Sequence, residues 1–99
     1  MAPTNQLIVC DMIKVKNMFS SSGKAIPNQF VINADGDRIF QSYNSVIAIM
    51  KHDGTVVLDR EKWDYSVTTG RYRNQFLGEG IEETRRKIKE GIYRLENLN

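Results

Sequence analysis

Two Asp-Gly dipeptides, each set between apolar runs, constrain this chain more than any other feature. Phe30-Val31-Ile32 precedes Asp35-Gly36, and Ile39-Phe40 follows it. The apolar run 46–50 precedes Asp53-Gly54, and Val56-Val57-Leu58 follows it. Asp-Gly suits a two-residue hairpin turn because both central residues of a type I′ turn need positive φ. The first turn then pairs Ile32 with Ile39 and Phe30 with Gln41. The second pairs Met50 with Val57. Only a short link at Asn44-Ser45 separates the hairpins, so residues 30–58 are expected to form a four-stranded antiparallel meander.

The run 46–50 does not alternate, as expected of a central strand covered on both faces. Helices to cover the sheet come from the C-terminal third. Ser66 is a suitable N-cap for a helix over 67–77, interrupted by Gly70 and ended by Gly78 and Gly80. A second helix is expected over 81–90, with Glu82–Arg86 and Glu83–Lys87 at the favourable i,i+4 spacing. Ile81, Thr84, Arg85 and Ile88 are its expected buried stripe. Gly91 can supply the left-handed residue that ends a helix, and 92–95 alternates as a final strand. Upstream, residues 7–16 read as one strand and residues 1–6 as a flexible tail. At 99 residues, 40% of them hydrophobic, the chain has the length of one domain. The expected fold is α+β: an antiparallel β-meander sheet with two helices packed on it, and a C-terminal strand after the last helix.

Most catalytic chemistries lack their residues. His52, the one histidine, stands just before a turn with no nucleophile motif near it. Cys10, the one cysteine, sits in an apolar run, where a free thiol behaves as a small hydrophobe. One of each makes no zinc set. Asn33, Asp35 and Asp37 begin like a calcium loop, but Arg38 and Asn44 replace its glycine and glutamate. Ser22-Gly23-Lys24 resembles the end of a phosphate-binding loop, yet Met18 and Ala25 replace its first glycine and its magnesium ligand. Asp59, Glu61 and Asp64 alternate with Arg60 and Lys62, as in a solvated loop. No enzyme activity, metal or cofactor is expected. No run reaches the length of a membrane span, and residues 1–6 have no features of a secretory signal.

The net charge of +2 conceals an asymmetry. Residues 1–59 are neutral, whereas 60–94 hold nine basic and six acidic groups. Arg71 and Arg73 have no acidic residue between Asp64 and Glu79, whereas Arg85, Arg86, Lys87 and Lys89 have Glu82, Glu83 and Glu90 beside them. Tyr65, Tyr72 and Trp63 are interleaved with the first pair, and Ser66, Thr68 and Thr69 open the helix. Helix-start N–H groups, hydroxyls and arginines suit a phosphate or carboxylate. The same residues also read as an ordinary Ser66 cap on an amphipathic helix. As a binding surface, the candidates are Tyr65, Ser66, Thr68, Thr69, Arg71, Tyr72 and Arg73, with Trp63 mainly structural.

This segment, W-x-Y-S-x-T-T-x-x-Y-R-N-x-F-L from Trp63 to Leu77, resembles a group of short uncharacterised proteins of bacteriophages and other mobile elements. Gln41-Ser42-Tyr43 and the close Gly91-x-Tyr93-x-Leu95 with Asn97-Leu98-Asn99 are similar too. The resemblance spans about residues 28–99. It implies a bacterial cytoplasmic setting and a small accessory product that binds a host protein or nucleoprotein complex, for instance to inhibit a defence system such as CRISPR. It carries over no functional residue. Direct nucleic-acid binding through the basic and aromatic surface is the alternative. An open sheet edge also admits a homodimer.

Overall fold

Asp35 and Gly36 take φ of 52° and 88°, the left-handed pair a type I′ turn requires. The computed structural model describes residues 13–99. This turn joins β2 (Ala25–Ala34) to β3 (Asp37–Ser42) in the expected register, Ile32 facing Ile39 and Phe30 facing Gln41. Asp53-Gly54 builds a different turn. Here only the glycine is left-handed, at φ 91°. Gly54 N–H donates to the Lys51 carbonyl at 2.9 Å and Lys51 N–H to the Thr55 carbonyl at 2.8 Å. The loop 51–55 therefore pairs Met50 with Val56 rather than Val57, and joins β4 (Ser45–Met50) to β5 (Val56–Asp59). The cause is local. The Asp53 carboxylate accepts from Thr55 N–H at 2.9 Å, which fixes an Asx contact and leaves Gly54 as the bulge residue.

β1 (Ile13–Phe19) lies antiparallel to β2. Its described residues overlap the end of the strand expected over 7–16; the remainder of that expectation, the tail 1–6 and Cys10 lie outside the described residues. Two helices follow β5. α1 (Val67–Leu77) has the expected bounds, with Ser66 Oγ accepting from Thr69 N–H at 3.1 Å and Gly78 left-handed at φ 72°. α2 (Ile81–Lys89) has Glu82 and Glu83 in its first turn and Arg86, Lys87 and Lys89 in its last, the order that favours the helix dipole. Gly91, at φ 80°, turns the chain into β6 (Tyr93–Glu96). The six strands lie in sequence order, antiparallel except that β6 runs parallel to β5. A parallel return needs a long crossover, which the two helices provide. The fold is α+β, with a strand after the last helix.

Register assigns the faces. Val31, Phe40, Ala48, Leu58 and Leu95 form one row across the sheet. Phe40, Ala48 and Leu58 are fully buried, in one core with Phe76 of α1 and packed against by Tyr72, Leu77 and Ile88. Both helices thus cover this face. The other face carries the row Val15, Ile32, Ile39, Ile49 and Val57, with Val57 buried and Val15 exposed. The failure of 46–50 to alternate has a second cause beside its central position. The register slips between Phe40 and Gln41, leaving Ile47 as the extra residue of a bulge, so that Ile47 and Ala48 are both fully buried. Beside the bulge, the Asn99 amide accepts from Val46 N–H at 2.8 Å and donates to Val46 C=O at 2.9 Å, as a neighbouring strand would.

Candidate functional site

The segment 59–77 divides into residues that hold the fold and residues that the fold leaves free. Arg73 belongs to the first set. It is 1% exposed. Its Nη1 donates to the Trp63 carbonyl at 2.7 Å and to Asp64 Oδ1 at 3.2 Å, and its Nη2 to Asn74 Oδ1 at 2.9 Å. The guanidinium also lies 5.3 Å from the Trp63 ring centroid. As a contact residue Arg73 must be set aside: its charge is compensated by Asp64, which the loop before the helix folds back onto it. Thr69 is buried and shares a 3.0 Å hydrogen bond with Ser42 Oγ. Ser66 is the helix cap, and Tyr72 is half-buried against the core. Trp63 is half-buried there too, as its structural role requires.

Tyr65, Thr68 and Arg71 remain exposed. Val67 joins them at 84% exposure, one helical turn before Arg71 and so on the same face. The Ser42–Thr69 bond brings the β3–β4 turn to this end of α1, and with it Tyr43, which is 53% exposed. Tyr43 stands at φ 55°, and its N–H donates to the Asn28 carbonyl at 2.7 Å. Its ring projects from a fixed turn. Tyr43 escaped the sequence reading because its approach to α1 depends on tertiary packing.

The other charged residues are mostly occupied. Arg86 bridges Glu83 and Glu90, and Arg85 reaches Glu82 and Asp64. Arg85 is therefore a surface residue rather than part of the buried stripe, because it has two acids to reach. Glu79 Oε1 accepts from Lys87 Nζ at 2.7 Å and from the Tyr93 hydroxyl at 2.8 Å, and Oε2 accepts from Thr84 at 2.7 Å. Burial pushes the Glu79 carboxyl up, but these three donors outweigh it and hold it below its ordinary value. Asp59 is not part of a solvated loop. It is 2% exposed, accepting from Leu98 N–H at Oδ1 and from Glu61 and Lys62 N–H at Oδ2. His52 is an exposed turn residue whose N–H and ring Nδ1 both face Asp37 Oδ1.

A second candidate lies on the helix-covered face, toward the β1 edge of the sheet. A pocket of about 420 Å³ opens there, between these strands and the last turn of α1. Lys16 and Arg38 line it, and no carboxylate does. Neither takes part in an ion pair among the described residues. Lys14, Asn33 and Arg38 face one another across three strands. The Arg38 guanidinium lies 5.3 Å from the Phe76 centroid, and Phe76 stacks on Phe40 at 5.8 Å. Gln75 completes the wall, its amide donating to the Phe19 carbonyl at 2.9 Å. Sequence reasoning missed this site because Lys16, Arg38 and Gln75 are far apart in the chain.

A family of unknown function (DUF8033) matches residues 13–92. The chain belongs to it. The matched residues of this chain run from β1 through α2 and include both the pocket lining and the α1 end with Tyr43 and Tyr65. No curated protein and no solved structure matches the chain. Among the described residues there is no group of three or more His, Cys, Asp or Glu side chains placed to hold a metal, and no helix long and apolar enough to cross a membrane.

Proposed function

We propose that this chain is a non-enzymatic accessory protein of bacteriophages or mobile elements that binds a host protein or nucleoprotein complex in the bacterial cytoplasm. One observation carries the reading. Tyr43, Tyr65, Val67 and Arg71 are exposed around the start of α1, held there by the Ser42–Thr69 contact, and their side chains serve no described interaction of the fold. Tyrosine and arginine dominate the energetic centres of protein interfaces. Rigid aromatic anchors on a helix start and a tight turn also lose little entropy on binding.

Capture from bacterial lysate, with and without nuclease treatment, tests this. A partner retained after nuclease and lost with Tyr65→Ala supports a protein target. Loss of all capture after nuclease favours the second reading, direct nucleic-acid contact, which draws on Lys14, Lys16 and Arg38 lying without acids on one sheet face.

A further inference from the structure

We infer that the pocket between β1–β3 and the last turn of α1 binds a nucleoside phosphate, either free or as one residue of a single strand. It lies at the opposite end of α1 from Tyr65 and Val67. The inference therefore stands or falls separately from the protein-docking reading, and its single-strand form rests on the second reading, direct nucleic-acid contact.

Three features of the pocket meet three parts of that ligand. Lys16 and Arg38 supply positive charge with no carboxylate in the lining to neutralise it, which suits a phosphate. Lys14 stands beside them at the rim, across from Asn33. The Arg38 guanidinium lies 5.3 Å from the Phe76 ring centroid, and Arg38 is exposed, so it offers a planar cation of the kind on which nucleic-acid bases stack. Phe76 itself is braced in turn by Phe40, so the platform is built into the core.

The third feature is neutral hydrogen bonding. The Asn33 amide makes no side-chain hydrogen bond among the described residues, and the Gln75 amide uses only its N–H₂ group, on Phe19. Asn33 thus offers donors and an acceptor, and Gln75 an acceptor, to a base edge. Met18 and Val31 give the pocket an apolar lining. Its volume of about 420 Å³ falls in the roughly 300–1,000 Å³ range of small-molecule sites. An acidic peptide would use the two cations but leave the guanidinium plane and the amides unmatched.

Amide chemical-shift perturbation and calorimetry on the folded chain test the inference, with adenosine monophosphate, a short oligothymidylate, inorganic phosphate and polyglutamate as probes. The expected result is saturable binding of the mononucleotide or the oligonucleotide, with shifts centred on Lys16, Asn33 and Gln75. Tighter binding of the oligonucleotide assigns the strand, and binding of the mononucleotide alone assigns the free ligand. For an oligonucleotide, Lys16→Gln and Arg38→Gln should each weaken binding about tenfold and lower the salt slope by about 0.7. For the mononucleotide, each should weaken binding by a similar factor. Lys16 is exposed and its side chain makes no hydrogen bond or ion pair among the described residues, so its variant reads binding without disturbing the fold. Lys89→Gln on α2 should change nothing. No shifts in the pocket with either nucleotide probe, equal binding of inorganic phosphate or polyglutamate, or full binding by the Lys16→Gln/Arg38→Gln double variant would overturn it.

Discussion

The Arg73 guanidinium lies over the Trp63 ring at 5.3 Å and donates to the Trp63 backbone carbonyl at 2.7 Å. One buried side chain thereby ties the loop after the sheet to the first helix. Replacing it with methionine leaves the Trp63 carbonyl and the Asn74 side chain without their donor and leaves Asp64 only the exposed Arg85. Arg73→Met should cost about 3 kcal/mol, read as a lower urea midpoint at unchanged slope. A loss below about 1 kcal/mol would place Arg73 at the surface, in the range of exposed ion pairs.

Acid should weaken the fold partly through Asp59. Burial pushes its carboxyl up, but the N–H groups of Leu98, Lys62 and Glu61 and the Asn99 amide more than offset this, so it titrates below its ordinary 3.8. A group depressed in the folded state contributes stability that is present above the unfolded value and lost as pH falls through the folded one. Stability should therefore fall below about pH 4. Asp59→Asn should lower stability at neutral pH by about 1–3 kcal/mol, because an amide cannot accept from all three N–H groups. It should also flatten the acid limb. Denaturant titrations across pH read both effects, and an unchanged acid limb would remove Asp59 from the account.

The two Asp-Gly turns should respond differently to alanine. Gly36 is left-handed at φ 88°, and a Cβ there would meet His52 Cβ at 3.2 Å. Gly54 is left-handed at φ 91°, but a Cβ would meet nothing within 4 Å. Gly36→Ala should therefore cost more than Gly54→Ala, with both costing at least about 1 kcal/mol for the backbone alone. Thermal melts of the two variants decide it, and equal losses would mean that His52 moves aside freely.

Local chemistry explains what the sequence revealed. The Asp35-Gly36 register, the Ser66 cap, the Gly78 stop and the order of elements all follow from residues within a few positions of one another. The structure departs from the local pattern where side chains choose between partners. Asp53 bonds Thr55 and lengthens a turn whose sequence matches the first. Asp64 folds back onto Arg73, although charge counting along the chain leaves that arginine free. Asp59 stands among alternating charges, yet it accepts three backbone N–H groups, one from Leu98, far along the chain. Of the seven candidate contact residues, Tyr65, Thr68 and Arg71 remain available at the surface. Tyr43 and the Lys16–Arg38 pocket exist only once the sheet is assembled, and no local pattern announces them.

The central claim is that the chain works through side chains its fold does not use. Reversing Arg71 together with Arg73 would confuse unfolding with lost contact, and Lys87 is a poor control because it is bound to Glu79. The direct measurement compares the double variant Tyr65→Ala/Arg71→Glu with Lys89→Glu, recording for each the melting temperature and the amount of partner captured from bacterial lysate. The account predicts melting within a few degrees of the parent for both, with capture reduced about tenfold or more only in the first, as expected when interface anchors are removed. Undiminished capture by the folded Tyr65→Ala/Arg71→Glu variant, or equal loss with Lys89→Glu, would contradict it.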